Sequence, residues 1–213
     1  MEVLCETENI VGFVSASHYA DQIPKLIDKL HQKGVHPTIV WNTNGYENVT
    51  MLRRLSPYID IYLPDFKYMD ADLARRYSHA PDYPQKAQAA LLEMVYQMGT
   101  SLATDENGLA FRGIIVRHLV LPGQLENSKR CLQWIADNCG TRLHLSLMAQ
   151  YFPTSAPRNA PWPDELGRTI TAEEYEEISD FCLKLGFENG WQQQLKSTDV
   201  YRPNFTKQNA FNV

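Results

Sequence analysis

The sequence predicts an α/β protein in which parallel strands alternate with helices. Short runs rich in β-branched residues recur along the chain, and stretches with apolar residues at helical spacing separate them. This alternation is typical of βα units that build one parallel sheet. The 213 residues include 44% hydrophobic and 21% charged side chains. These proportions fit a soluble globular protein, so we expect one packed domain rather than two.

Five runs along the chain have the composition of strands. They are Val11–Ser15, Thr38–Trp41, Ile59–Leu63, Ile114–Leu121 and Leu143–Met148. We expect these five strands to form the sheet, with the intervening helices packed against it.

The stretch after the first predicted strand has a clear helical pattern. Ile23, Leu26, Ile27 and Leu30 are spaced to form one apolar face. Gly34 is placed to end this helix in a left-handed conformation. We expect the apolar face to pack on the sheet.

Three later stretches also predict helices. A short helix is expected at Val49–Leu55, and an apolar stripe over residues 87–98 predicts a longer one. Thr171 and Glu174 form a T-x-x-E capping box that opens a third helix. The proline-rich stretch Tyr151–Pro163 fits neither a helix interior nor a central strand, which predicts an ordered loop or a linker.

Charge, hydropathy and cysteine spacing exclude several function classes. The net charge of -5 provides no basic surface for a phosphate backbone, so nucleic acid is not expected as a partner. The apolar runs are far shorter than the roughly 18–20 residues of a membrane-spanning helix, and the first ten residues lack the features of a secretory signal. We therefore expect a cytoplasmic protein without membrane attachment. The four cysteines, Cys5, Cys131, Cys139 and Cys182, lack metal-site spacing, which predicts neither a zinc site nor a disulfide framework. We expect the thiols of Cys131, Cys139 and Cys182 to be reduced and mostly buried.

Polar side chains follow the predicted strands. The segments after the first three strands are 15–19, 42–46 and 64–68, and the last two strands contribute 117–118 and 148–151. Ligands of parallel βα proteins bind at the carboxyl ends of the strands, where the connecting loops converge. The pattern therefore predicts a binding site at this end of the sheet.

Each polar segment also has a structural explanation. The N-G dipeptide at 44–45 is a common turn, and His18 is also explained by a position near the start of the next helix. Asp65 and Lys67 are two residues apart and share a face, which fits an ordinary ion pair as well as a site. Arg117 lies within an apolar strand and therefore needs an anionic partner, either Asp65 or a ligand carboxylate.

Four blocks of the sequence, in this order and spacing, resemble one protein family. They are V-W-N-T-N-G-Y from Val40, D-I-Y-L-P-D-F-K-Y from Asp60, I-V-R-H-L-V-L-P-G from Ile115 and S-L-M-A-Q-Y-F-P from Ser146. Together they resemble the radical SAM proteins similar to pyruvate formate-lyase activating enzyme, over nearly the whole chain. The resemblance implies an α/β fold that is a partial (βα) barrel of parallel strands, with about five of the six βα units of a radical SAM core.

The family implies two cofactors at the strand ends, a 4Fe-4S cluster and S-adenosylmethionine (SAM). A C-x3-C-x2-C loop holds the cluster, because three thiolates fix three irons and leave the fourth for the amino and carboxylate groups of SAM. This sequence contains no such motif. We therefore expect no cluster, and a chain that begins at the family's second unit, with an N-terminal remnant at 1–10, the partial barrel at 11–195 and a C-terminal tail at 196–213.

The resemblance also implies cofactor-binding positions near the first and last predicted strands. Ser15 and Ser17 stand where activating enzymes carry a Gly-Gly-Glu turn for the methionine amino group. His18 is a candidate to replace that contact. Met148 and Gln150 lie at the end of the last predicted strand, near where the adenine would sit.

Further implied positions follow the second, third and fourth predicted strands. Asn42, Thr43 and Asp65 resemble positions that hold a monovalent cation beside the methionine carboxylate. Asn42 stands where the family carries Asp, so we expect a cation to bind less strongly there. Lys67 and Arg117 resemble polar contacts to the cofactor.

Three functions are compatible with these features. The first is a truncated radical SAM enzyme related to glycyl-radical activating enzymes, whose full-length form would cleave SAM reductively to a 5′-deoxyadenosyl radical and act on a protein substrate. The second is a non-catalytic relative that binds a SAM-like ligand or a protein. The third is an unrelated barrel enzyme that uses Lys67 as a Schiff-base amine beside Asp65. Fold resemblance does not transmit substrate identity, so the substrate stays open.

The first predicted strand also bears on association. Without an outer neighbour, Val11–Ser15 would be an uncovered edge with an apolar sequence. Such an edge favours pairing with another chain, which predicts dimerisation or poor solubility.

Overall fold

The computed structural model describes residues 9–153 and 164–193. Seven strands form one sheet: β1 (Ile10–Val14), β2 (Thr38–Thr43), β3 (Ile61–Pro64), β4 (Ala103–Thr104), β5 (Ala110–Leu119), β6 (His144–Met148) and β7 (Gly190–Gln192). Their order is β1-β2-β3-β5-β6-β7, and β4 pairs with β5. Every pairing is parallel except that of β4 with β5. The predicted partial (βα) barrel of parallel strands is confirmed.

Six α-helices connect the strands: α1 (Ile23–Gln32), α2 (Val49–Leu55), α3 (Ala71–Ser78), α4 (Tyr83–Met98), α5 (Leu125–Cys139) and α6 (Ala172–Lys184). Gly34 follows α1 with a φ of 77°, as predicted for a left-handed helix end. The predicted capping box is present at α6. The Thr171 hydroxyl accepts from the Glu174 amide, and the Glu174 carboxylate accepts from the Thr171 amide.

The two faces of the sheet differ sharply. Side chains on one face are buried in the main hydrophobic core together with the apolar faces of the helices: Ile39, Trp41, Tyr62, Ile114, Val116, Leu145 and Leu147. Alternate side chains on the other face are half-buried or exposed, and they include Ile10, Val14, Val40, Leu63 and Ile115. The helices therefore cover one face and leave an open face, which carries the side chains of Asn42, Asp65 and Arg117.

The structure corrects several predicted boundaries. β1 ends at Val14, because Ser15 adopts a left-handed conformation with a φ of 49°. β2 extends two residues further than predicted, to Thr43, and the predicted strand at Ile114–Leu121 begins earlier, at Ala110. The early part of β5 pairs antiparallel with β4, a short hairpin that the sequence pattern did not reveal.

β1 lies at one edge of the sheet in the described part of the chain, as predicted. Ile10 and Val14 are 44% and 67% exposed on it. Association through this edge stays a prediction. Within residues 9–153 and 164–193, none of the helices combines the length and the apolar character needed to cross a membrane.

Candidate functional site

The carboxyl ends of β2, β3 and β5 bring three predicted site residues together. Directly after β3, Asp65 forms a parallel bridge with Arg117 of β5, and the Phe66 amide donates to the Arg117 carbonyl at 2.8 Å. Asn42 is the next-to-last residue of the neighbouring strand β2. Because the register places all three on the open face, their side chains meet above the sheet end.

The centre of this cluster is the Arg117 guanidinium. Its Nη2 donates to Asn42 Oδ1 at 2.6 Å and lies 2.7 Å from Asp65 Oδ1. The Lys67 ammonium lies 3.4 Å from Asp65 Oδ2. The side chains of Asp65, Arg117 and Lys67 are 18%, 24% and 35% exposed, so they are partly buried but still in contact with solvent. We call Asn42, Asp65, Lys67 and Arg117 the strand-end cluster.

Two buried polar atoms of the strand-end cluster have no hydrogen bond within the described residues. They are Asp65 Oδ1 and Arg117 Nε. The short Asp65–Arg117 contact is an ion pair by distance, but its orientation does not complete a hydrogen bond. Buried polar atoms of this kind are usually satisfied by a partner. Asp65 Oδ1 is held by the ion pair with Arg117, and Arg117 Nε is a donor without a partner among the described residues.

A cavity of about 260 Å³ lies beside the strand-end cluster. Lys67 forms part of its wall together with aromatic and aliphatic side chains: Tyr68, Tyr77, Leu119, Leu121, Tyr151, Phe152 and Leu166. The Tyr151 hydroxyl donates to the Leu166 carbonyl at 2.7 Å, which fixes one wall of the cavity. Apolar cavities with a few polar groups at one side are typical small-molecule sites.

Thr43 does not join the strand-end cluster. It follows Asn42 on β2 and therefore points to the opposite, helix-covered face, where its hydroxyl donates to Glu47 at 2.5 Å. The implied cation position beside Asn42, Thr43 and Asp65 is thus not reproduced by these side chains, because the Arg117 guanidinium contacts Asn42 and Asp65 and the Thr43 hydroxyl is engaged elsewhere. The side chains do not fit the monovalent cation that the resemblance implies.

The residues after β1 occupy a separate position. Ser17 donates to both carboxylate oxygens of Glu47 at 2.8 Å. Ser17 and His18 line an open polar groove, of about 760 Å³, with Glu47, Asp82 and other residues of the neighbouring helices. Ser15 is exposed at the end of β1. The Ser15 amide donates to the Asn42 carbonyl at 2.8 Å, a backbone link between this segment and the strand-end cluster.

Met148 and Gln150 lie at the end of β6, beyond the strand-end cluster. Met148 is buried, and the Gln150 amide approaches its sulfur at 3.7 Å. Gln150 also accepts from Gln193 at 3.2 Å. These two predicted residues are therefore near the aromatic cavity through Tyr151, the next residue in the chain, rather than bonded to Asp65 or Arg117.

The structure reveals a second cluster that the sequence reading missed. Glu47 is only 4% exposed, and its Oε1 accepts from Ser17, Thr43 and, at 3.2 Å, from the Trp41 indole. We call Glu47 with these three donors the Glu47 hub. In the sequence, Glu47 follows the turn glycine Gly45 by two positions, and this context does not predict a buried hydrogen-bond acceptor.

The described cysteines do not fit an iron–sulfur cluster. Cys131 and Cys139 lie on α5 and Cys182 on α6, and all three are buried in the helix layer. Burial raises the pKa of Cys139 and of Cys182 to about 11, and raises that of Cys131 further. Across residues 9–153 and 164–193, no three His, Cys, Asp or Glu side chains come close enough to hold a metal ion.

The fold is similar to that of a solved enzyme domain. A solved domain of pyruvate-formate lyase-activating enzyme from Bacteroides vulgatus superimposes with a TM-score of 0.59, at 11% sequence identity, over 86% of this chain and 98% of that domain. A radical SAM methyltransferase from Sphaerobacter thermophilus aligns with a TM-score of 0.47, at 11% identity, over 88% of this chain and 60% of the methyltransferase. At such identity the first likeness establishes the architecture alone.

The sequence comparisons add a distant relative. An uncharacterized protein of Methanocaldococcus jannaschii is 26% identical over 147 residues, which cover 68% of this chain. The chain spans only 38% of that relative's length. No family model matches the sequence.

Proposed function

We propose that this chain is the SAM-binding part of a radical SAM protein related to the glycyl-radical activating enzymes. The strand-end cluster binds the amino acid end of the ligand, and the neighbouring cavity accepts its adenine. The observation that carries the proposal is the convergence of the Asn42, Asp65, Lys67 and Arg117 side chains at the carboxyl end of a parallel sheet. A radical SAM domain fold supports it.

The chemistry of the cluster suits a zwitterionic amino acid. A guanidinium binds carboxylates through charge-assisted hydrogen bonds, and the unpartnered Arg117 Nε is a donor of this kind. Asp65 supplies a carboxylate oxygen for an ammonium group or for the positive sulfonium. Lys67 lies 3.4 Å from Asp65 and adds positive charge where a ligand carboxylate would approach.

The cavity suits an aromatic ring. Tyr68 and Leu166 are nearly completely buried in its wall, and Tyr151 is half-buried at its side. Flat apolar side chains stack on aromatic rings and exclude water from them. A volume of about 260 Å³ is small for a complete cofactor but sufficient for one ring system, so the rest of the ligand extends over the strand-end cluster.

Radical chemistry requires three thiolates that bind the 4Fe-4S cluster, and the cysteines described above do not supply them. A cluster that leaves one iron open for SAM needs the C-x3-C-x2-C spacing, which the sequence does not contain. The proposal for this chain is therefore ligand binding, with reductive cleavage dependent on cluster ligands supplied by another segment or chain. We expect no 4Fe-4S absorbance after anaerobic reconstitution with iron and sulfide, and a stable cluster spectrum would contradict this.

The test of binding is an NMR titration of the protein with SAM. Without an iron to chelate the methionine end, we expect a weak Kd, on the order of 0.1–1 mM. Asp65→Asn and Arg117→Gln should each weaken binding at least ~10-fold, because each removes a charge that faces the ligand. The matched control is Arg112→Gln, on the same strand at its opposite, exposed end, which should bind like the wild type.

Two outcomes would overturn the proposal. Equal affinity of the wild type, the Asp65 variant and the Arg117 variant would show that the ligand binds elsewhere. If the wild type does not bind SAM at 10 mM, about ten times the weakest expected Kd, SAM is excluded as the ligand of this site. Titrations with adenosine alone and methionine alone should each show weaker binding than SAM, since each occupies half of the site.

The alternative Schiff-base function has less support from the geometry. A Schiff base forms from a neutral amine. Lys67 is ion-paired with Asp65 at 3.4 Å and is about one-third exposed, so its amine is engaged by a carboxylate and does not lie in a dry pocket. Borohydride treatment in the presence of a small aldehyde should therefore leave Lys67 unmodified, and mass-spectrometric detection of a reduced adduct at Lys67 would restore that alternative.

A further inference from the structure

The backbone that carries Asp65 and Lys67 is held from inside the protein by three buried side chains. β3 ends at Pro64, so residues 65–69 leave the sheet without a regular ladder. Tyr83 of α4, His118 of β5 and Asn127 of α5 contact this segment from the helix-covered side. We call these three residues the exit cradle.

His118 fixes the middle of the segment. It is completely buried, with Nδ1 2.7 Å from the Phe66 carbonyl and Nε2 2.9 Å from the Ser128 hydroxyl. A carbonyl oxygen only accepts, so Nδ1 donates to Phe66, and Nε2 of the neutral ring accepts from Ser128. Burial lowers the pKa of His118, which favours this neutral form.

Asn127 and Tyr83 fix the rest of the segment. Asn127 Nδ2 donates to the Lys67 carbonyl and Oδ1 accepts from the Met69 amide, both at 2.9 Å. The Tyr83 hydroxyl accepts from the Lys67 amide at 3.1 Å. The same hydroxyl lies 3.0 Å from the Asp65 carbonyl and 2.8 Å from the Asn44 carbonyl, which ties the exits of β2 and β3 together.

We propose that His118 and Asn127 are positioning residues for the ligand site, acting through the backbone of residues 65–69. This inference rests on the proposed function, since it concerns the same site. Both residues face away from the open side of the sheet and touch no ligand atom there. They determine where the side chains of Asp65 and Lys67 project, and a site loosened by a fraction of an ångström loses affinity.

Two substitutions of His118, each of which keeps one of its two hydrogen bonds, distinguish a positioning role from a general packing role. His118→Asn keeps a nitrogen near Nδ1 and so retains the donor to Phe66, whereas His118→Gln places its amide near Nε2 and keeps only the Ser128 contact. Asparagine is one methylene smaller than glutamine and leaves the larger cavity, so His118→Asn should destabilise the protein at least as much as His118→Gln. We expect His118→Asn to bind SAM within about 3-fold of the wild type and His118→Gln to bind about 10-fold more weakly.

Amide hydrogen exchange tests the exit cradle without any ligand. The Met69 amide bonds to Asn127 Oδ1, so Asn127→Ala should raise its exchange at least ~10-fold, while the amides of β6 exchange as in the wild type. Asn127→Asp retains the acceptor for Met69 but sets a second oxygen against the Lys67 carbonyl, so it should restore only part of that protection.

The outcomes separate the two proposals. If the wild type binds no SAM but residues 65–69 lose protection in Asn127→Ala, the cradle holds the segment as described and the proposed function fails. If local exchange rises while SAM affinity stays unchanged in His118→Gln and Asn127→Ala, the positioning role is overturned. Equal loss of affinity in His118→Asn and His118→Gln, in proportion to lost stability, would also overturn it.

Discussion

The Glu47 hub and the strand-end cluster lie at neighbouring strand ends, yet they use carboxylates in opposite ways. Glu47 is 4% exposed on the helix-covered face and accepts from three neutral donors. Asp65 is on the open face, faces a guanidinium and an ammonium, and has an oxygen without a hydrogen bond among the described residues. A fully satisfied acid stabilises the fold, whereas an incompletely satisfied one is available to a ligand.

This difference follows from side-chain alternation along β2. Asn42 points to the open face and contacts Arg117, and Thr43 points to the helix-covered face and contacts Glu47. Two adjacent residues thus serve two clusters. The comparison predicts that substitutions in the hub reduce stability with little effect on binding, and that substitutions in the strand-end cluster do the reverse.

The largest effect is expected at Gly45, which joins the two regions. Its φ is 81°, and an added Cβ would lie 2.2 Å from the Asp65 carbonyl oxygen. Gly45→Ala should therefore destabilise the protein by roughly 3 kcal/mol or more in guanidinium unfolding. Gly34→Ala is the matched control, with a φ of 77° and no atom within 4 Å of an added Cβ, and should cost only about 1 kcal/mol.

A loss at Gly45 no larger than that at Gly34 would contradict the close contact between the exits of β2 and β3. The difference in stability between Gly45→Ala and Gly34→Ala measures the steric clash with the Asp65 carbonyl, because both substitutions impose the same left-handed conformation on alanine.

The next effect compares the two carboxylates directly. Glu47→Ala leaves the Trp41 indole and the hydroxyls of Ser17 and Thr43 without their acceptor, and should cost about 2–4 kcal/mol. Asp65→Ala should cost less, about 1–2 kcal/mol, because the pair is about one-fifth exposed and Asn42 still accepts from the Arg117 guanidinium. Urea unfolding measures both values.

SAM titration of the same two variants completes the test. The Glu47 variant should bind within about 3-fold of the wild type at a temperature where it is folded, while the Asp65 variant loses at least ~10-fold. Reversed results, with binding lost at Glu47 and stability lost at Asp65, would exchange the roles assigned to the two regions.

Sequence patterns predicted the elements that depend on periodicity and capping. The apolar spacing of Ile23 to Leu30 and the Thr171–Glu174 box correspond to real helices, because burial and capping act locally. An arginine within an apolar strand requires an anion, and Asp65, one of the two partners considered for Arg117, forms an ion pair with it.

The exit cradle and the Glu47 hub could not be predicted in the same way. His118 and Asn127 contact residues 52 and 60 positions away, through bonds that depend on strand order and on how α5 packs. The placement of Thr43 depended on register: a strand extending to residue 43 turns this side chain away from Asn42. Local patterns do not contain that information.

A smaller effect is expected on the reactivity of the thiols, which are buried in the helix layer and belong to neither polar region. Because burial raises the pKa of Cys139 and Cys182 to about 11, few thiolates exist at pH 7. Labelling of Cys131, Cys139 and Cys182 with an aromatic disulfide reagent should be at least ~100-fold slower in the native protein than in guanidinium. Rapid native labelling at any of the three would show that the helix layer opens.

The smallest effect is expected at Glu174, a half-buried acid that is ion-paired with Arg168 at 2.7 Å and is a member of neither cluster. The Arg168 guanidinium, with backbone donors from Thr171 and Gly123, lowers the pKa of Glu174 to about 2 in the folded state. An unfolded glutamate has a pKa of about 4.3, so this pair stabilises the fold above that pH, and the contribution is lost as the pH falls toward 2. Solvent screening limits it to about 1 kcal/mol or less.

Urea unfolding of the wild type and Glu174→Gln at pH 5, 4, 3 and 2 measures this contribution. The stability difference between the two proteins should be largest at pH 5 and shrink toward pH 2, because the glutamine cannot titrate. A difference for Glu174→Gln that stays constant from pH 5 to pH 2 would show that the ion pair with Arg168 contributes nothing that depends on charge.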